Sequence, residues 1–299
     1  MTAHEAPEYL AVGHIAVDLL PDGTPVLGGT ALYSALTAAR FGLRTAVLTR
    51  GNFNNHGEII TNALNHFAEE VEIILQSSQQ PTVFTNTNVA GRRLQTIHSW
   101  AGRIDLSGIP AHWRSADIIH IAPVAQEIEP RQTGRLNPGF LGVTPQGWMR
   151  RWPPSQHGPV SLGPLRLPSE VLSRIDAMVV NAEEQSLARD EIEAVASRGL
   201  VAITRGPLAA QILDRGRLIE VPSISARAVD DAGAGDVFAS ALFILRAEHE
   251  STIAAGRMAA IAAGLRIQHH GPEAVPTRQA VEDYLALHPH GRTRRTRSY

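Results

Sequence analysis

Asp230-Asp231-Ala232-Gly233-Ala234-Gly235-Asp236 runs directly into Val237-Phe238-Ala239-Ser240-Ala241-Leu242-Phe243-Ile244-Leu245. The second run is apolar throughout and reads as a buried helix, so Gly233 to Gly235 stand at its N-terminus. Backbone without side chains lets several N–H groups converge on one point, and the helix dipole adds partial positive charge there. The stretch therefore reads as an anion site. A carboxylate beside such a site is repelled unless it has a chemical role, and Asp236 is placed to take a proton from an attacking hydroxyl. Taken alone, the same residues also fit a Gly-rich turn with Asp capping a helix. A dinucleotide-binding loop is a third reading, with Ala239 one residue past its last small position and acids at Glu248 and Glu250. The polar stretch from Ser223 to Asp231 is not the buried strand such a loop should follow.

Outward from this stretch, composition narrows the chemistry. All 27 basic residues are Arg; the chain contains no Lys and no Cys. That excludes the Gly-Lys-Ser/Thr phosphate loop, the strand Lys of protein kinases, Schiff-base chemistry, thiolate nucleophiles, disulfides and Cys-ligated zinc. Positive charge at a phosphate must come from Arg, backbone amides or metal ions. A chain of 299 residues, 43% hydrophobic, is long enough to bury a large core. The net charge of -2 argues against a general nucleic-acid binder. The acidic start lacks a signal-peptide core and no apolar run reaches membrane-spanning length, so the expectation is a cytoplasmic protein with no membrane and no nucleic-acid partner. Residues 292–299 read as a solvated basic tail.

Residues 9–20 read as one strand ending near Asp18, 21–24 as a turn, and 31–41 as a helix stopped by Gly42. Buried strands are expected at 45–49, 71–75, 116–122, 139–144, 177–181 and 199–204, with helices over 57–68 and 182–197. Residues 83–89 and 93–97, around the turn Ala90-Gly91, read as a half-exposed hairpin. The Pro- and Gly-rich segment 151–168 reads as loops. Strands alternating with helices predict an α/β fold, a mainly parallel sheet with helices on both faces. Ligands then gather at the carboxyl ends of the strands, where Asp18, Asn181, Thr204 and the loop before Asp236 are expected. The hairpin is placed to act as a lid, and its exposed edge offers a route to a homodimer by strand pairing. The expected organisation is a single domain over 1–291, with the lid drawn from about 11–30 and 81–100, and the tail 292–299.

Five motifs follow one another in order: Leu27-Gly28-Gly29-Thr30-Ala31-Leu32-Tyr33-Ser34-Ala35, Asn181-Ala182-Glu183-Glu184, Thr204-Arg205-Gly206, Asp230 to Asp236, and Gly271-Pro272-Glu273-Ala274-Val275-Pro276-Thr277. They resemble, in that order, the Gly-Gly signature, the Asn-x-x-Glu motif, the Thr-x-Gly strand end, the Asp-Thr-x-Gly-Ala-Gly-Asp signature and the closing loop of the PfkB (ribokinase-like) carbohydrate kinase family. A lone Gly-Ala-Gly-Asp is a weak signal; five motifs in family order, spanning nearly the whole chain, are a specific one. The resemblance implies a ribokinase-like three-layer sandwich with a small β lid. It also implies transfer of the γ-phosphoryl group of ATP to a hydroxyl of a sugar or polyol. A nucleoside acceptor keeps the chemistry, and a non-catalytic ligand sensor keeps only the fold.

The resemblance implies roles residue by residue. Asp236 would be the base, and the amides of Ala232, Gly233, Ala234 and Gly235 the anion hole. Asn181 and Glu184 would position Mg²⁺, largely through water. Thr204, Arg205, Gly206 and Gly271 would face the nucleotide. Asp230, with the loop near Gly271 to Ala274, would bind a monovalent cation such as K⁺. On the acceptor side, Asp18 can bind two hydroxyls, although it also fits a strand-end turn. Gly28 and Gly29 permit close backbone approach, although they also fit simple turns. Ser34 stands where many sugar kinases have Asn, and Arg93 on the hairpin fits either a substrate contact or a solvated face. Asp231 departs from the usual Thr and brings negative charge near the phosphates.

Overall fold

Alternation within the short strand Tyr9–Val12 sets the layering. Successive side chains of a strand point to opposite faces, and every residue of this strand is buried. Tyr9 and Ala11 join the core beneath the helices Thr30–Arg40, Ala234–Ala247 and Thr252–Arg266. Leu10 and Val12 join a second core beneath the helix Arg189–Ala196. A strand apolar on both faces requires cover on both, which a parallel sheet with crossover helices supplies.

The computed structural model describes residues 5–54, 57–89, 92–153 and 157–288. Among them, nine strands form the main sheet in the order Arg217–Val221, Leu208–Asp214, Leu200–Arg205, Ala177–Asn181, Phe140–Val143, Ile118–Ile121, Tyr9–Val12, Thr45–Gly51, Glu72–Ser77. Neighbours run parallel except around Leu208–Asp214, which is antiparallel to both of its partners. A second sheet carries five strands in the order Gly158–Pro159, Arg92–Ser99, Thr82–Val89, Ala16–Leu19, Pro25–Gly28. This is the α/β sandwich expected from the alternation, with the hairpin placed in the smaller sheet. The expected turn Ala90-Gly91 and the tail 292–299 lie outside the described residues. No helix among the described residues is long and apolar enough to cross a membrane.

Three expectations need correction. The single strand over 9–20 is two strands in different sheets. A Cβ at Gly13 would lie 2.1 Å from the Ala122 carbonyl oxygen, so the chain leaves the main sheet through a passage that admits no side chain. It restarts as Ala16–Leu19, and Asp18 therefore belongs to the second sheet rather than to the end of a core strand. The helix over 182–197 is broken into Ala182–Gln185 and Arg189–Ala196. The Leu187 carbonyl accepts from Leu165 N–H at 2.8 Å, outside any helical ladder. Within 151–168, short strands replace loops: Arg150–Arg151 pairs with Ser161–Leu162, and Gly158–Pro159 extends the second sheet.

Helix Ala234–Ala247 is the centre of the larger core and buries Val237 through Leu245 without interruption. Large apolar side chains contribute roughly 1.5–3 kcal/mol each when fully buried, so this helix is firmly anchored below the loop that precedes it. Gly142 lies against it: a Cβ there would sit 2.3 Å from the Phe243 ring.

Candidate active site

Gly233 is the N-cap of helix Ala234–Ala247 and adopts a left-handed conformation, φ 74°. A Cβ at this position would also stand 2.4 Å from the Tyr33 ring, so both conformation and space demand glycine. Amides in the first turn have no acceptor within the helix. Of the expected anion-hole amides, Ala232 N–H already donates to Asp230 Oδ1 at 3.0 Å, and Ala234 N–H to the Asp231 carbonyl at 3.3 Å. Those two amides are thus already engaged, and the position over Gly235 is open. Asp231 is exposed, so solvent screens the extra charge it brings. Asp236, in the first turn, is half-buried and lines a cleft.

Across that cleft stand residues of the second sheet. Asn86 Nδ2 donates to Asp18 Oδ1 at 2.9 Å, and Gln95 Nε2 donates to Asn86 Oδ1 at 2.9 Å. Phe84, Gln146 and Arg150 complete the wall, the Arg150 guanidinium lying 5.2 Å from the Phe84 ring centroid. Gly28 is explained by its neighbour, since a Cβ would come within 2.2 Å of Asp18 Oδ2. Gly29 lines the cleft at φ 95°, and a Cβ there would meet the His14 carbonyl at 2.6 Å. Ser34 is a correction: it is wholly buried in helix Thr30–Arg40, and Ser240 Oγ donates to its carbonyl. Thr30 and Tyr33 of the same helix reach the cleft instead. The side chain of Arg93 lies outside the described residues; its backbone pairs with Asn88 in the hairpin.

Asn181 and Thr204 are register partners at the ends of adjacent parallel strands. Asn181 Oδ1 accepts from Glu184 N–H at 2.9 Å, and Glu184 Oε2 accepts from Asn181 N–H at 3.0 Å, a reciprocal cap on a short helix. Burial, with the negative Asp236 adding to it, holds the Glu184 carboxyl above its ordinary range despite the Asn181 amide and Arg150. A cation placed there would favour the carboxylate. The pair thus fits Mg²⁺ approached through water, the mode this ion prefers. Arg205 is drawn aside: its Nε donates to the Ala209 carbonyl and its Nη2 lies 3.6 Å from Glu220. Gly206 forms the following turn at φ 57°.

Asp230 and Gly271 come together, but around an arginine. Arg266 Nη2 donates to Asp230 Oδ2 at 2.9 Å, and Gly271 N–H donates to the same oxygen at 3.1 Å. Arg266 Nη1 donates to the carbonyls of His269, at 2.9 Å, and Asp230, at 3.4 Å, and Nη2 also reaches the Tyr33 hydroxyl at 3.2 Å. Burial pushes the Tyr33 phenol up to about 12, so it stays a neutral hydroxyl. Burial opposes ionisation of Asp230, but the Arg266 bond and the two amides outweigh it and hold its carboxyl below the usual range. The residues expected to hold K⁺ therefore do not fit it, and the Gly271 amide is committed to Asp230. Sequence reasoning missed Arg266, Tyr33, Asn86, Gln146 and Arg150. Strand alternation places Asn86 on the face of Phe84, a legible signal; Arg266 carries no local one.

Beneath the site runs a buried polar chain. Tyr9 Oη lies 2.6 Å from Ser240 Oγ and 2.8 Å from His120 Nδ1, and His120 Nε2 lies 2.9 Å from Thr144 Oγ1. Burial lowers the His120 imidazole to about 3, so it is neutral.

Residues 159–278 match the model of the pfkB family carbohydrate kinases. A Pyrococcus horikoshii protein named as a candidate sugar kinase is 30% identical over 112 residues, a stretch that spans 36% of this chain and 36% of that relative. Solved structures match far more of the chain. A pyrophosphate-dependent kinase in the ribokinase family, complexed with a pyrophosphate analogue and myo-inositol, superposes with a TM-score of 0.73 at 19% identity, covering 92% of this chain and 99% of that one. The ribokinase of Arabidopsis thaliana complexed with ribose and ATP gives 0.69 at 20% identity, covering 94% and 99%.

Proposed function

We propose that this chain, a PfkB (ribokinase-like) family member by its fold and ordered motifs, transfers the terminal phosphoryl group of ATP to a hydroxyl of a small sugar or polyol. One observation carries the reading. Asp236 stands on the first turn of a helix whose glycine-lined N-terminus opens onto the cleft that also holds Asp18, Asn86 and Gln95. A base, an anion site and a hydrogen-bonding wall for hydroxyls thus share one space.

In this reading Asp18, Asn86 and Gln95 orient the acceptor, and Asp236 takes the proton of one hydroxyl as its oxygen bonds to the γ-phosphorus. The bond from that phosphorus to the bridging oxygen breaks, and ADP leaves with the electron pair. Phosphoryl transfer asks the protein mainly for alignment and charge neutralisation. The amides of Gly233 and Gly235 and the positive helix end supply fixed dipoles for this without Lys. Asn181 and Glu184 would hold Mg²⁺ through water, and the ion would neutralise charge on the phosphates when bound. The second sheet acts as the lid, limiting water and hence idle hydrolysis.

The test is a transfer screen in which ATP or pyrophosphate is offered with sugars, polyols and nucleosides, and the phosphorylated product is detected directly. The reading expects a phosphomonoester from ATP with at least one sugar or polyol. Product from pyrophosphate alone would replace the donor, product with nucleosides alone would replace the acceptor, and no product would leave a binding protein.

A further inference from the structure

We propose that the Arg266 guanidinium is the resident cation of this fold: it fills the oxygen cage behind the anion-binding loop, so that phosphoryl transfer by this chain needs no monovalent metal ion. The consequence for turnover rests on the kinase reading above; the geometry does not.

The cage is made of four oxygens, the carbonyls of Asp230 and His269, Asp230 Oδ2 and Tyr33 Oη. Carbonyl, carboxylate and hydroxyl oxygens are hard donors, the set suited to a hard cation. Here they face a guanidinium that is itself wholly buried, while the Asp230 side chain remains 22% exposed. A second unit charge within about 4 Å of the first would be strongly repelled, so the cage holds the arginine or an ion and not both. An arginine cannot be deprotonated or exchanged with solvent, and its planar fork fixes direction as well as charge. The position also suits it electrostatically, because Arg266 ends helix Thr252–Arg266, where a cation is favoured.

What the arginine joins shows why it matters. Asp230 Oδ1 takes the amide of Ala232, next to Gly233. The Tyr33 ring lies beneath Gly233 and 5.1 Å from the guanidinium carbon. The amides of Val229 and Asp230 donate to the Ile267 carbonyl, and Gly271 N–H to Asp230 Oδ2. One buried charge thus ties the loop bearing the anion hole to the segment 267–271 and to helix Thr30–Arg40. Arg266 Nε is buried with no partner among the described residues, a cost that a purely structural apolar residue would avoid. Arg266 is therefore a positioning residue.

The test compares turnover and thermal midpoint in potassium, sodium and tetramethylammonium chloride at matched ionic strength. The wild-type chain is expected to show the same turnover and midpoint in all three. Arg266→Ser empties the cage. Its kcat is expected to fall about a hundredfold in tetramethylammonium, with KM changing far less, and potassium is expected to restore activity and raise the midpoint. Arg266→Lys, which keeps the charge, is expected to retain most of the turnover without potassium. Potassium stimulation or stabilisation of the wild type would overturn the proposal, as would wild-type turnover by Arg266→Ser in tetramethylammonium. If the serine variant does not fold, the wild-type comparison decides alone. Failure of the kinase reading is separable: it appears as no transfer in any salt, and the midpoints still test the cage.

Discussion

Gly28 makes no visible contact with chemistry, yet it governs a residue that does. Its missing Cβ leaves room for the Asp18 carboxylate, and Asp18 in turn accepts from Asn86 in the cleft wall. Gly28→Ala is expected to displace that carboxylate, raising KM for the acceptor several-fold while leaving KM for ATP near its wild-type value. Steady-state kinetics with each substrate varied in turn measures the split; equal effects on both would place Asp18 outside acceptor binding. At this scale the sequence was most legible where chemistry is unusual: an acid beside glycines at a helix start. It misled where geometry turns on one position. Ser34 and Tyr33 are adjacent, but about 100° of rotation along the helix separates them, and Tyr33 lines the cleft while Ser34 is buried. Arg266 was illegible because its partner Asp230 is distant in the chain and nothing local marks either as paired.

Among the elements, most strands were readable from apolar runs, and the parallel sheet followed from their alternation with helices. The break at Gly13 was not, because its cause is the Ala122 carbonyl of another strand. The helix break near Leu187 likewise has a distant cause, the Leu165 amide. Element packing also sets a pH dependence. His120 bridges strand Tyr9–Val12 and Thr144 as a neutral imidazole, lowered by burial from 6.5 to about 3. Between those values the unfolded chain binds the proton and the folded chain does not, so stability rises with pH across the window. The slope approaches about 1.4 kcal/mol per pH unit for one such group. His14, also lowered by burial, acts in the same direction. Urea titrations from about pH 4 to about pH 7 are expected to show a shallower slope for His120→Gln than for the wild type. An unchanged slope would mean that His120 takes up its proton alike in the folded and the unfolded chain.

For the whole molecule, one arrangement accounts for the site. The main sheet ends two adjacent strands at Asn181 and Thr204, and the central helix carries Asp236 into a cleft that the second sheet lines with Asp18, Asn86 and Gln95. The absence of Lys, plain in the sequence, finds its counterpart in amide dipoles and in one buried arginine. Acceptor identity was not legible, because the cleft wall is assembled from residues far apart in the chain. The most direct test of the account is phosphorus NMR of phosphoester formation from ATP and the best acceptor, by the wild-type chain and by Asp236→Asn. Transfer by the wild type is expected, with a loss of about a hundredfold or more in the variant and nucleotide affinity retained. Equal transfer rates in the two proteins would contradict a proton-accepting role for Asp236.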